Sequence, residues 1–147
     1  MRVTCVPISV VRNHEQVMYG LRDATGAHRI GEADPFHEEV RYWLWHPGER
    51  QVVRCFSVPR GVAVMAGGTV EPTATTFILM AEGGLETYGI CSNRFLSRAF
   101  MPVRYELTVR ILERNRFLYT EDMHLRMPGR PDLFHPTDEN TLICAST

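Results

Sequence analysis

Residues 103–126 carry the pattern that most restricts this chain. Val103, Tyr105, Leu107, Val109 and Ile111 alternate with Arg104, Glu106, Thr108 and Arg110, residues 113–116 turn the chain, and Phe117, Tyr119, Met123 and Leu125 resume the period. Alternation of this kind puts every second side chain on one face of a pleated strand. The segment therefore predicts a long antiparallel hairpin with one oily face. A strand of about ten residues spans roughly 33 Å, well beyond the usual five or six residues, and arms of that length in a small protein belong to a strongly curved sheet or barrel. The interior of such a barrel is where a ligand would sit.

The rest of the sequence reads as further strands and turns. Residues 16–23 alternate weakly, 36–45 run long and aromatic, and His46-Pro47-Gly48-Glu49-Arg50 turns the chain into 51–58. Pro59-Arg60-Gly61 precedes a run at 62–66, Gly67-Gly68 and Gly83-Gly84 are read as hairpin turns, and 76–81 and 85–91 are strand candidates. Phe95, Leu96, Ala99 and Phe100 share a helical spacing, which suggests a short helix capping one end of a barrel. Met127-Pro128-Gly129-Arg130-Pro131 is an emphatic turn, and a last short strand is expected at 141–145. Eight or nine short strands without a crossover helix predict an antiparallel all-β fold in a single domain over residues 1–147. A sandwich and a barrel both satisfy the pattern. The brief connections favour a meandering, antiparallel up-and-down β-barrel.

At 147 residues the chain is long enough to bury a core, and a net charge of −1 gives no clustered positive field for nucleic acid or an anionic membrane. All sixteen basic residues are arginine. No apolar run approaches the roughly 20 residues needed to cross a bilayer, and no secretory signal is evident, so a cytoplasmic protein is expected. Cys5, Cys55, Cys91 and Cys144 are scattered without a Cys-x-x-Cys element and read as core fillers. Glu38 and Glu39 are adjacent, hence on opposite strand faces, so they cannot serve as paired glycosidase carboxylates. Ser57, Ser92 and Ser97 lack a nucleophile motif.

Phe36-His37-Glu38-Glu39-Val40, Tyr42-Trp43-Leu44-Trp45, Pro59-Arg60-Gly61-Val62, Gly89-Ile90-Cys91-Ser92-Asn93, Pro128-Gly129-Arg130-Pro131 and the run from His135 to Leu142 follow one another along the chain. Together they resemble the bacterial fatty-acid-binding-protein-like family related to nitrobindin, from about Val6 onward. The resemblance implies a ten-stranded barrel that in some members holds ferric haem through one histidine and converts peroxynitrite to nitrate. Two features depart from that pattern. Nitrobindins begin with a Gly-x-Trp-x-Gly-x-Gly strand, whereas the tryptophans here are Trp43 and Trp45, so the resemblance implies a lost first strand and an unpaired edge open to a second copy. Their haem histidine lies in the final strand, which here has none.

A ferric haem needs a neutral imidazole aimed into an apolar cavity, with its other nitrogen held by a hydrogen bond. His135 is the only histidine near the final strand, so the resemblance makes it the metal ligand; its competing reading is a turn residue bonded to Asp138 or backbone. Tyr105, Leu107, Val109, Phe117, Tyr119 and Met123 are the expected cavity lining, joined by Phe56, Val58, Val64 and Met65. The same alternation would equally fill a closed core, so hollow and filled interiors both remain open. His124 falls on the polar phase of its strand and is read as solvent-facing, and His37, Glu39 and Arg41 as an outer face carrying a local His37–Glu39 pair. A haem-free carrier of fatty-acid-like ligands, with Arg104 or Arg126 meeting a carboxylate, is the alternative function.

Overall fold

A computed structural model describes the backbone of residues 2–144 and the side chains of residues 5–144. Its strands are β1 (Arg2–Pro7), β2 (Val11–Asn13), β3 (Gln16–Ala27), β4 (His37–His46), β5 (Gln51–Val58), β6 (Val62–Thr69), β7 (Thr76–Gly83), β8 (Gly89–Ser92), β9 (Met101–Glu113), β10 (Arg116–Arg126) and β11 (Thr137–Ile143). A 3-10 turn, Pro47–Glu49, joins β4 to β5, and the one α-helix among the described residues, α1, spans Leu96–Ala99. The hairpin that opened the sequence reading is present as β9 and β10, paired with Tyr119 opposite Val109 and Met123 opposite Tyr105.

The strands lie in the order β1-β3-β4-β5-β6-β8-β7-β9-β10-β11, with β2 added beside β3. Ten strands thus follow one another around a nearly closed, almost wholly antiparallel barrel. The loss of a strand at the start of the barrel is not seen. Arg2–Pro7, unassigned in the sequence reading, lies antiparallel to β3 with Cys5 opposite Asp23. At the seam, Cys5 Sγ of β1 stands 3.1 Å from Cys144 Sγ, just past β11. The final strand begins earlier than expected, at Thr137, and Ala145 of the expected strand lies outside the described residues.

Two glycine pairs behave differently from their prediction. Gly67 and Gly68 are not a hairpin turn but lie inside β6, paired with Val53 and Val52 of β5. The ring of Tyr88 occupies the space where a Cβ at Gly67 would sit, and Gln51 donates a hydrogen bond to the Tyr88 hydroxyl, so the missing side chain is what admits the aromatic ring. Gly83-Gly84 does turn the chain, with Gly84 at φ +84°, but the strand that follows does not fold back as a hairpin. Instead β8 inserts between β6 and β7, antiparallel to the first and parallel to the second.

The core is built by the inward phase of β7, β9 and β10. Leu79 faces Leu107, and Phe77 faces Val109. Leu79, Leu107 and Val109 are completely buried, together with Tyr105, Tyr119 and Leu142. Each such aliphatic side chain contributes about 1.5–3 kcal/mol by leaving water. Met65, expected in the lining, points outward and is 52% exposed, since Val64 and Ala66 hold the inward positions of β6.

Candidate functional site

On β4 the face expected to point outward is the buried one. Glu39, Arg41 and Trp43 are buried, whereas Val40 and Tyr42 are exposed. Pairing with β3 sets this phase, placing Thr25, Asp23 and Leu21 opposite Glu39, Arg41 and Trp43. Because side chains repeat every second residue, such a register turns a complete set of charges inward. The expected His37–Glu39 pair forms, at 3.3 Å, but on the interior side.

Those inward charges cross the middle of the barrel. Arg54, on β5, is 0% exposed. Its Nη1 lies 2.7 Å from Glu121 Oε2 and donates to the Tyr105 hydroxyl, while its Nη2 lies 3.8 Å from Glu39 Oε1. The guanidinium carbon sits 4.7 Å from the ring centre of Tyr119, 4.9 Å from Trp43 and 5.1 Å from Phe56, a desolvated arrangement in which cation–π attraction is strong. Beside it Arg41 donates to Asp23 and Thr25 and, at 2.8 Å, to the Tyr119 hydroxyl, and Trp43 Nε1 donates to Asp23 at 2.7 Å. Burial alone works against the charge on Arg54, but Tyr105, Glu121, Tyr119 and Glu39 outweigh it and hold the guanidinium above its ordinary pKa.

Burial pushes the Tyr119 phenol up to about 12, opposed by Arg41 and Arg54, and burial raises Tyr105 in the same direction. An unfolded tyrosine ionises near 10. Between pH 10 and 12 the unfolded chain therefore loses a proton that the folded chain keeps, and stability falls by about 1.4 kcal/mol per pH unit for each such phenol. Urea unfolding at pH 9 and pH 11 is expected to show this loss, and Tyr119→Phe to make it shallower. Equal slopes in the two proteins would refute the assignment.

The plug leaves a cavity at either end. Near the β9–β10 turn lies a hollow of about 370 Å³, lined by Trp43, Trp45, Val52, Phe77 and Phe117 with Arg114 and Arg116 at its mouth. At the α1 end lies a larger one of about 620 Å³. Its walls include Phe56, Phe95, Phe100, Met123 and Leu125, its floor Glu39, Tyr105 and Glu121, and its rim His37 and Arg60. The helix expected to cap a barrel end supplies part of this wall through Leu96.

The expected lining residues are divided between these places. Tyr105 and Met123 line the α1-end cavity, Val109 and Phe117 line the other, and Leu107 and Tyr119 are buried in the packed middle between them. His135 lines neither cavity. Its side chain is 45% exposed, and its Nδ1 lies 3.1 Å from Asp122 Oδ2. His124 is not simply solvent-facing either, since its ring stands 4.0 Å from that of His135 and bonds the same carboxylate. Arg104 is held by Glu82 and Glu106 away from the interior, and Arg126 lines neither cavity. His37 is the histidine that does line one, among the described residues. Its Nδ1 lies 2.9 Å from Arg60 Nη2 and its Nε2 faces Glu39. An arginine only donates, so Nδ1 is the acceptor and the proton resides on Nε2.

Residues 8–143 match the family model described as the THAP4-like, heme-binding β-barrel domain. The chain belongs to that family, in agreement with the nitrobindin-like resemblance. Comparison with curated proteins gave no match, and comparison with solved structures gave none. No helix among the described residues is long and apolar enough to cross a membrane, which says nothing about strands.

Proposed function

With a heme-binding barrel family as the starting point, we propose that this chain holds haem, or a flat apolar molecule of similar size, in the α1-end cavity. The observation that carries this reading is the cavity of about 620 Å³ with aromatic and aliphatic walls and a few polar groups on its floor, within the range of small-molecule sites. Wall and volume suit a macrocycle. For the axial donor, His37 offers an Nδ1 lone pair at the rim, with Glu39 fixing the other ring nitrogen as second-sphere carboxylates do for ligating histidines. Arg60 must swing aside to free it. Bound ferric haem would supply the metal centre on which peroxynitrite isomerisation depends, and that activity is proposed only for the haem-loaded protein.

Hemin titration tests this directly. A saturable Soret shift is expected, abolished by His37→Ala and retained in His135→Ala. The reverse pattern would return the axial role to His135, and no shift in the unaltered protein would remove the haem reading. A carrier of fatty-acid-like molecules is favoured by one observation, Arg60 at the rim, where a carboxylate would meet a guanidinium. Displacement of a fluorescent fatty acid, weakened in Arg60→Ala, would support it, and no displacement would exclude it.

A further inference from the structure

We propose that Asp122, His124 and His135 form a separate site for a divalent transition-metal ion of the zinc type, on the outer face of the barrel. Asp122 and His124 are two residues apart on β10 and so project from one face, opposite to the phase that carries Tyr119, Glu121 and Met123 toward the interior. His135 arrives from the return that follows β10. Leu125 and Phe134 exchange backbone hydrogen bonds of 2.8 and 2.9 Å, and Met123 N–H donates to Pro136 at 3.1 Å, which lays residues 134–136 against the strand.

Three metal-binding atoms converge there. His124 Nε2 and His135 Nδ1 each lie 3.1 Å from Asp122 Oδ2, and ligand atoms from the three residues all fall within 4.8 Å of one another. Two ligands at about 2.0–2.1 Å from a tetrahedral zinc ion stand roughly 3.3 Å apart, so the Asp–His spacings need only small adjustment. A second observation concerns the same carboxylate. Asp122 Oδ1 is buried and has no hydrogen-bond partner among the described residues, an expense that buried polar atoms ordinarily avoid. A cation held by this carboxylate would set a positive charge beside that unpaired oxygen. His135 is half open to solvent, leaving room for water at a fourth position.

Two imidazoles and one carboxylate are a donor set for zinc, with nickel and copper as competitors, whereas calcium and magnesium favour oxygen-rich sites. Neither the haem nor the carrier reading is needed, because none of the three residues lines a cavity. The site nevertheless borders one: Met123 and Leu125 precede and follow His124 on β10, Pro136 follows His135, and all three line the α1-end cavity. An ion would therefore clip the return to β10 and stiffen that wall.

Tag-free, haem-free protein titrated calorimetrically with zinc chloride is expected to bind one equivalent saturably. Its thermal midpoint should rise by about 5–10 °C at a hundredfold excess over Kd. His135→Gln, on the exposed return, should keep the fold by circular dichroism and weaken zinc at least tenfold, and Asp122→Asn should do likewise. A Co2+-loaded sample should show ligand-field bands that His135→Gln removes. Absence of saturable zinc binding, or unchanged affinity in both variants, would overturn the site.

Discussion

Arg54→Met is expected to lower the unfolding free energy by about 3–5 kcal/mol, the loss typical when one partner of a buried ion pair is removed. Methionine keeps most of the apolar bulk against Trp43, Phe56 and Tyr119 but none of the charge. Glu121 and Glu39 then remain inside with their shared cation gone, and Glu39 keeps only the more distant Arg41, at 3.7 Å, and its 3.3 Å contact with His37. The thermal midpoint should fall by roughly 6–20 °C for a protein of this size. Calorimetry and urea titration measure the effect. The decisive companion is Arg54→Met combined with Glu39→Gln and Glu121→Gln, which should recover at least half of the loss by neutralising the stranded carboxylates. If the triple variant is as unstable as the single one, lost packing and not uncompensated charge explains the cost.

Oxidation of Cys5 with Cys144 is expected to have an effect of comparable size and opposite sign. The two sulfurs already face each other at 3.1 Å across the seam. A bond between them would close a loop of nearly the entire chain, adding about 2–5 kcal/mol of stability. Burial, aided by the neighbouring Cys144, pushes the Cys5 thiol up to about 12, so thiolate is scarce at neutral pH and air oxidation should be slow. Diamide, which takes up the two hydrogens as the disulfide forms, supplies the oxidant. With the half-buried Cys55 and exposed Cys91 replaced by serine, the product should run faster on a non-reducing gel, lose two hydrogens by intact mass and melt higher than the reduced form. Exclusively intermolecular dimers would show that the seam does not join in this way.

The barrel was legible because alternation over residues 103–126 depends only on which residues are oily, and Tyr105, Leu107, Val109, Phe117 and Tyr119 obey that rule. The plug was not. Glu39, Arg41 and Arg54 are charged, and the default for charge is water, so a sequence pattern sends them outward. Only the partner strand reveals otherwise, since Asp23 and Thr25 on β3 meet Arg41 from across the sheet. β1 was missed for a related reason: Arg2–Pro7 has little contrast between its faces, and its pairing with β3 is a tertiary fact. The alternate-position pair Asp122 and His124 was visible as spacing on one strand face, but its third member comes from a return whose path turns on Pro128, Gly129 and Pro131. His135 was thus found as a candidate ligand, while the direction it faces was beyond reach of the pattern.

A barrel bolted through its waist by Arg54 and Arg41 has no through-traffic. A guest held at the α1 end, as proposed above, would have to leave by the door it entered, past a wall that includes Phe95, Phe100 and the short helix between them. Two guests, one at each end, would also be strangers to each other: neither could evict the other by competition, and any influence between them would have to pass through the charges in between.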